Sequence, residues 1–491
     1  MNATKPNLDF IANNYPSVLL QASGQGVGMI WGESGNSEVG HLTLGAGRVI
    51  PQYLARINKA IETGDFFNNP AFLKAIEHVK QNQSKLHLAG ILTSGSVHAF
   101  FSHIPRLIEL TEKNKLPNVK IHLFTDGKDS GWKEGSSLLS KLMPYIKAPS
   151  VKLATVMGRD FSMDRNENWN LTEKAYNLLT AGNTDETTDN AVKAIEAHYE
   201  QGVHDNKMPR ILVDASGLIE DGDAVIFFNF REDSMRQLAR AFVEDDFKAF
   251  PRRKVQNLMV VEMVEYIKHP DILVAYPVPE INNNLPQMLS LYGKKQLHLA
   301  ETEKYAHITY FFNSLNTEPY EGEDDVFIKS IRKAEEEPEM MANDITAKAI
   351  EQLQRNYYDV IFINFANADL LAHSGNLEKA VKGIEILDKC IGKLKDAIFE
   401  KNGILIITAD HGNAESLTSK SGTPETKHNA SPVPFYLVVK EYERPRSEEE
   451  IKLALSKTDG LIADIAPTIL QILGIPKPAE MTGESLFRVL S

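Results

Sequence analysis

Residues 403–413 read Gly-Ile-Leu-Ile-Ile-Thr-Ala-Asp-His-Gly-Asn. The apolar, mostly β-branched run within 403–408 reads as a strand over those residues. It delivers Asp410 and His411 at its carboxyl end, where open α/β sheets bind ligands. Just upstream, Leu377, Val381, Ile384, Leu387, Ile391, Leu394 and Ile398 step by three and four. That spacing predicts a helix over 377–399 with one buried face, capped by Asn376 and ended before Gly403. The same alternation recurs outward from this unit. Candidate strands lie at Ser17–Gln21, 85–92, 120–124, 152–157, 224–230 and 359–365, with helical patterns between them. One of those helices takes Pro51 in its first turn and runs to Thr63 before Gly64. Alternating strands and helices predict an α/β fold with parallel sheets.

A chain of 491 residues exceeds one ordinary core, so two domains are expected. The net charge of −13 argues against nucleic acid as a partner, while leaving room for a basic pocket that holds a small anion. No apolar run of about 18 residues exists to cross a membrane. The opening MNATKPNLDF lacks a basic stretch followed by an apolar one, and the single Cys390 has no internal disulfide partner. Cys390 lies on the apolar stripe of its helix and reads as buried and inert. A cytoplasmic enzyme is expected. The prolines and polar residues from Tyr276 onward read as a linker.

Three segments carry metal-ligand chemistry. Asp369 and His373 are four apart and share a face on one helical turn. Asp410 and His411 end their strand, and His428 precedes Ser431-Pro-Val-Pro. Two carboxylates and three imidazoles suit Mn²⁺ or Zn²⁺. Singly, each has a plainer role as a helix cap, a core histidine or a turn. Ser37, in Gly35-Asn-Ser-Glu-Val-Gly-His41, lies near a helix start, where free N–H groups attract phosphate. Its hydroxyl needs a base or metal to become a nucleophile, and the metal cluster is the activator at hand. The plain alternative is a serine N-cap with Glu38 in the first turn. Successive strand ends deliver His98, Lys128 with Asp129, Arg159 with Arg165, and Arg231, while Lys304 sits in Glu301-Thr-Glu-Lys-Tyr305. Cations gathered this way in an acidic chain point to a small, doubly anionic ligand, gripped bidentately by Arg and as a point charge by Lys.

GNSEVGHL at 35–42, GAGRV, RINKAIETGDFF, FFNFR, AETEKYAH, NFANAD with His373, TADHGNAE and the histidine before PVPF together resemble one family. It is the 2,3-bisphosphoglycerate-independent phosphoglycerate mutases of the alkaline phosphatase superfamily, and the resemblance covers essentially the whole chain. It implies an alkaline-phosphatase-like phosphatase domain, here 1–51 with 280–491, and an inserted α/β transferase domain, here 52–279. It further implies a cytoplasmic, monomeric isomerase of glycolysis and gluconeogenesis that uses two divalent metals, manganese or zinc. One metal would be bound by Asp369, His373 and His428, the other by Ser37, Asp410 and His411. Ser37 would carry the phosphoryl group between 3-phosphoglycerate and 2-phosphoglycerate, with Lys304 offsetting the charge in transfer. His98 and Asp129 would handle the glycerate hydroxyls and the proton transfers, and Lys128, Arg159, Arg165 and Arg231 its anionic groups.

The sequence also departs from that family's pattern. The family opens with an apolar strand ending in Asp-Gly, whose Asp joins the second metal site. Here ATKPNLDFIANNYP matches the helix that follows it, so one strand and one ligand are expected to be absent from the given chain. Lys128 and Ser234 stand where the family has Arg; Ser94, Ser96 and Phe100, and Ser130-Gly-Trp132, replace other pocket residues. Two alternatives to an active mutase therefore stay open: an impaired or non-catalytic remnant, and a metal-dependent phosphatase or mutase acting on another phosphate ester.

Overall fold

A computed structural model describes residues 3–331, 337–418 and 422–490. The chain forms two compact units, one of Met1–Gln52 with Glu280–Ser491, the other of Tyr53–Pro279.

The discontinuous unit contains strands β1 (Ser17–Gln21), β2 (Gln296–Glu301), β3 (Glu323–Ile328), β4 (Val360–Ile363), β5 (Leu405–Ile407), β6 (Val433–Val438) and β7 (Thr458–Leu461). They form two sheets, ordered β5-β6-β1-β7 and β3-β2-β4. Strand β6 runs antiparallel to both neighbours, and the other pairs are parallel. Strands β4 and β5 are therefore both edges. They nevertheless share their packing. Val360, Phe362 and Ile406 lie on one apolar cluster around Leu20, Phe435 and Ile465. On the other face the helix Leu377–Glu400 reaches Ile361 and Ile363 through Leu394, and Leu405 and Ile407 through Ile391 and Phe399. All residues of β4 and β5 are only half-buried, whereas β2 is buried throughout.

The helix Leu377–Glu400 forms as its period requires. The Asn376 side chain accepts from Lys379 N, and Cys390 is fully buried on its inner face. The first helix, Pro6–Asn14, starts with proline at its first turn and docks on that long helix. Asp388 accepts from Leu8 N at 2.8 Å and from Asn7 Nδ2 at 2.9 Å, satisfying an N–H group the first turn leaves unpaired. The helix Ser37–Ala46 is buried over nearly all its length. Gly45 permits that: a Cβ there would stand 1.8 Å from the Phe312 carbonyl oxygen.

The continuous unit holds an eight-stranded sheet in the order 186–187, 211–212, 151–158, 119–125, 86–92, 224–227, 259–262, 272–274. The only antiparallel pair named in it is 151–158 with 211–212. Strand Leu86–Leu92 and strand Val119–Thr125 are buried on both faces, as parallel strands covered by helices must be. The helix expected from Pro51 begins instead at Tyr53. Gln52 N donates to the Gly28 carbonyl at 2.7 Å, which holds the chain out of helix at that point. The strand expected over 224–230 ends at Phe227, and Asn229 turns its side chain to accept from Ile91 N at 2.9 Å.

Candidate functional site

In the discontinuous unit the expected residues converge beyond the carboxyl ends of β1, β2, β4 and β5. Ser37 opens the helix that follows β1, Lys304 lies in the short helix after β2, Asp369 and His373 in the helix after β4, and Asp410 and His411 directly after β5. Ser37 is the first helical residue, not the cap. The Asn36 side chain caps the helix by accepting from Val39 N at 3.0 Å, which frees the serine hydroxyl for other partners.

Those partners are Lys304 and His411. Lys304 Nζ donates to Ser37 Oγ at 2.7 Å and to Asp369 Oδ2 at 2.6 Å. His411 Nε2 stands 3.0 Å from Ser37 Oγ on its other side. Both Ser37 and Lys304 are buried. Gly40, one turn after Ser37, lets the helix press on the next strand end; a Cβ there would meet the Asp410 carbonyl oxygen at 2.6 Å.

The imidazoles around Asp369 are oriented from behind. His373 Nδ1 lies 2.8 Å from the Thr426 carbonyl, and His428 Nδ1 lies 3.0 Å from the Gly35 carbonyl. A carbonyl only accepts, so each Nδ1 carries the proton and each Nε2 presents a lone pair. The two Nε2 atoms face each other at 2.9 Å and stand 3.2 and 3.3 Å from Asp369 Oδ1. Lone pairs and a carboxylate converging on one point repel unless a cation lies among them. This donor set fits a divalent metal, and the carbonyl contacts are the backing such ligands need. Asp369, His373 and His428 have ligand atoms all within 4.8 Å of one another.

Asp410 Oδ2 lies 3.6 Å from His411 Nε2 and 3.2 Å from His41 Nδ1. Burial opposes ionisation of Asp369, but the His428 hydrogen bond and the Lys304 charge outweigh it and hold the carboxyl well below the usual range. Burial likewise opposes ionisation of Asp410, and the neighbouring His41 and His411 outweigh it. With no metal bound, a second proton on His428 Nε2 can take the cation's place, and its hydrogen bond to Asp369, opposed by burial, raises His428; burial lowers His411.

Sequence reasoning had not singled out His41, Asn364 or Asn413. His41 Nδ1 lies 2.8 Å from the Ser37 carbonyl, and its Nε2 meets Asn364 Nδ2 at 2.9 Å. Asn413 Nδ2 donates to Asp369 Oδ1 at 2.7 Å. His41 and Asn413 lie inside the quoted motifs, four residues after Ser37 and two after His411, which was the available signal. Asn364 had none beyond its place at a strand end.

The continuous unit gathers the remaining candidates. Arg159 Nη1 donates to Asp126 Oδ1 at 2.6 Å and to Asp129 Oδ2 at 2.5 Å, while Nη2 lies 2.8 Å from His98 Nε2. The guanidinium only donates, so His98 Nε2 accepts and Nδ1 holds the proton, buried and without a partner. Burial, aided by the Arg159 charge, pushes His98 down to about 4, so the ring is neutral at pH 7. Arg165 Nη1 and Arg231 Nε both reach Asp233 Oδ2, at 2.6 and 3.2 Å. Lys128 Nζ pairs with Asp160 Oδ1 at 2.6 Å. Lys128, Arg165 and Arg231 stay exposed, so their charge is available to a ligand. Asp126, unnoticed in the sequence, is fully buried and anchors Arg159.

The family model described as "BPG-independent PGAM N-terminus (iPGM_N)" matches residues 57–268. A 2,3-bisphosphoglycerate-independent phosphoglycerate mutase from Methanosarcina acetivorans is 44% identical across 99% of this chain and 94% of its own length. The chain belongs to the 2,3-bisphosphoglycerate-independent phosphoglycerate mutase family. A phosphoglycerate mutase of that family from Clostridium botulinum is 42% identical over 99% of this chain and 95% of its own length. The crystal structure of Leishmania mexicana phosphoglycerate mutase at low cobalt concentration matches with a TM-score of 0.64 and 29% identity, over 98% of this chain and 93% of that one. The α/β architecture expected from the sequence is present, and this phosphoglycerate mutase family member carries a donor set suited to divalent metal.

Proposed function

We propose that this chain interconverts 3-phosphoglycerate and 2-phosphoglycerate through a phosphoserine at Ser37, with family membership supplying the reaction class. The observation that carries the assignment to Ser37 is its hydroxyl, buried between the Lys304 ammonium and the His411 imidazole. In the first half-reaction Ser37 Oγ gives up its proton and bonds to phosphorus, the bond from phosphorus to the C3 oxygen breaks, and that oxygen takes up a proton. In the second, the C2 hydroxyl oxygen loses its proton and bonds to phosphorus, the Ser37 Oγ–phosphorus bond breaks, and Oγ regains a proton. Lys304 Nζ stays beside Oγ in both directions, where it offsets charge on the transferring group.

Asp369, His373 and His428 would hold one divalent metal and Ser37, Asp410 and His411 the other, manganese or zinc. When bound, they lower the pKa of the serine hydroxyl and polarise the phosphoryl oxygens.

The continuous unit is read as the substrate-binding domain. Arg159, Lys128, Arg165 and Arg231 supply charge for carboxylate and phosphate, and His98 offers the free Nδ1 proton to a glycerate oxygen. Asp129, held by Arg159, takes the neighbouring hydroxyl. A monomeric cytoplasmic enzyme of glycolysis and gluconeogenesis fits this reading.

The test is incubation of the full chain with Mn²⁺ and 3-phosphoglycerate, without added 2,3-bisphosphoglycerate. Formation of 2-phosphoglycerate, with acid-quenched phosphate on Ser37 by mass spectrometry, is the expected result. Release of inorganic phosphate alone would make the chain a phosphatase, and no turnover with either metal would make it a non-catalytic relative.

A further inference from the structure

A second cluster of ligand-type side chains lies outside the Ser37 site. Strands β2 and β3 are parallel neighbours in which His298 pairs with Asp325 and Gln296 with Glu323. Residues two apart on a strand share a face, so His298, Glu323 and Asp325 project together. Their ligand atoms all lie within 4.8 Å of one another. The His298 and Glu323 side chains have no exposure, and that of Asp325 has 12%.

The hydrogen-bond chain behind the cluster sets the histidine tautomer. Gln296 Nε2 donates to the Pro286 carbonyl at 2.9 Å, which turns Gln296 Oε1 toward His298 Nε2 at 3.3 Å. That oxygen only accepts, so Nε2 carries the proton and Nδ1 presents a lone pair. Nδ1 lies 3.3 Å from Glu323 Oε1 and 3.6 Å from Asp325 Oδ1. Among the described residues, neither Nδ1 nor Asp325 Oδ1 has a hydrogen-bond partner, although both are buried. Three acceptors thus converge on a point that no donor occupies. Among the described residues, the ion pairs of Glu323 and Asp325 are to His298 alone. Two carboxylates in such a setting need a counter-charge, and unpaired burial is costly.

We propose that His298 Nδ1, Glu323 Oε1 and Asp325 Oδ1 bind a first-row divalent cation such as Zn²⁺, at a site separate from the Ser37 cluster. Ligands about 2.0–2.1 Å from a tetrahedral zinc stand about 3.4 Å apart, which the two measured separations bracket. One cation balances the two carboxylates. Asn313 Nδ2 and Tyr320 N donate to the two Glu323 oxygens at 2.5 and 3.0 Å and so fix the orientation of that carboxylate. The part-exposed Asp325 gives the ion its way in. Tying β2 to β3, this site is structural.

The experiment strips the full chain with chelator, restores Zn²⁺, removes excess and counts zinc per chain by mass spectrometry. The parent for the count is the variant Asp369→Asn, His373→Gln, His428→Gln, Asp410→Asn, His411→Gln, which lacks the side-chain ligands of both metal positions around Ser37. The expected result is one zinc equivalent retained by that parent and lost on adding Asp325→Asn or His298→Gln. Zinc should also raise the thermal midpoint of the wild-type chain by more than that of Asp325→Asn. Equal zinc content with and without the Asp325 and His298 substitutions overturns the proposal. So does a parent that binds no zinc, which would leave a proton shared between Glu323 and Asp325 as the counter-charge. Asp325→Asn keeps shape and sits at the exposed edge of the cluster; folding of each variant is checked by circular dichroism, and either of the two substitutions suffices.

Discussion

Lys304 Nζ lies 2.7 Å from Ser37 Oγ, although the two residues are 267 positions apart in the chain. The same ammonium holds Asp369 Oδ2 at 2.6 Å, so one buried cation joins the candidate nucleophile to the metal-ligand cluster. Lys304→Met keeps the length of the side chain and removes the charge. The expected outcome is a loss of about 10²–10³-fold in kcat, the magnitude seen when a donor to a developing anion is deleted. Steady-state kinetics at saturating metal checks it, and kcat within threefold of wild type would mean that Lys304 only fills space.

Ser37→Ala should abolish mutase activity while the thermal midpoint stays within a few degrees. The side chain removed is small, and Asn36 rather than Ser37 caps the helix. Activity and acid-stable protein phosphorylation are measured together. Turnover without Ser37 would assign the phosphoryl carrier elsewhere.

Metal removal should abolish activity, and restoring Mn²⁺ should recover it. The facing Nε2 atoms of His373 and His428, 2.9 Å apart, also predict lower stability for the stripped protein, because their lone pairs and Asp369 then repel one another. Calorimetric titration into a chain carrying His298→Gln should show two metal sites, one of them lost with Asp410→Asn. A single site that Asp410→Asn leaves unchanged would contradict the assignment of the second position.

Arg159→Lys should weaken 3-phosphoglycerate binding by about tenfold to a hundredfold. The guanidinium meets Asp126, Asp129 and His98 at once, and an ammonium cannot reproduce that planar fork. A raised KM, with weaker product binding by calorimetry, is the expected pattern. An unchanged KM would limit Arg159 to a structural ion pair.

Glu262 predicts a pH dependence of stability that is independent of the catalytic residues. It is fully buried; Oε2 accepts from Tyr266 N at 2.6 Å, while Oε1 has no partner. Burial pushes its carboxyl up to about 8 from an ordinary value of 4.5. The folded state therefore holds a proton that the unfolded state has released between those two values. Its contribution is full below the lower value and is lost as pH rises through the upper one. Glu262→Gln should flatten the fall in denaturation midpoint between about pH 5 and 8. A slope identical to that of wild type would place the titration at other groups.

The helix Leu377–Glu400 and the strand ends bearing Asp369, Asp410 and His411 were legible because period and strand punctuation are local properties. Strand β2 was not. Its sequence Gln-Leu-His-Leu-Ala-Glu carries polar residues on one face, which reads as a solvent face, yet all six residues are buried. Gln296 is held there by the Pro286 carbonyl and His298 Nε2 by Gln296, partners that no local pattern displays, while His298 Nδ1 faces Glu323 and Asp325. Strand β3 has only Val326-Phe-Ile328 to announce it, behind three acidic residues, and it pairs with β2 along its length.

What the sequence by itself determined is the alternation of strands and helices, the inventory of ligating and charged side chains, and their delivery after strands. Those follow from short-range periodicity and from residue chemistry. Only the tertiary structure decided which groups meet: Lys304 with Ser37, His428 with Asp369, His41 with Asp410, and His298 with Asp325. Tertiary structure also decided the tautomers, because backbone carbonyls of Thr426 and Gly35, distant in the chain, turn His373 and His428 so that their Nε2 lone pairs converge. A lone pair's direction depends on what lies behind the ring, and only the folded chain supplies it.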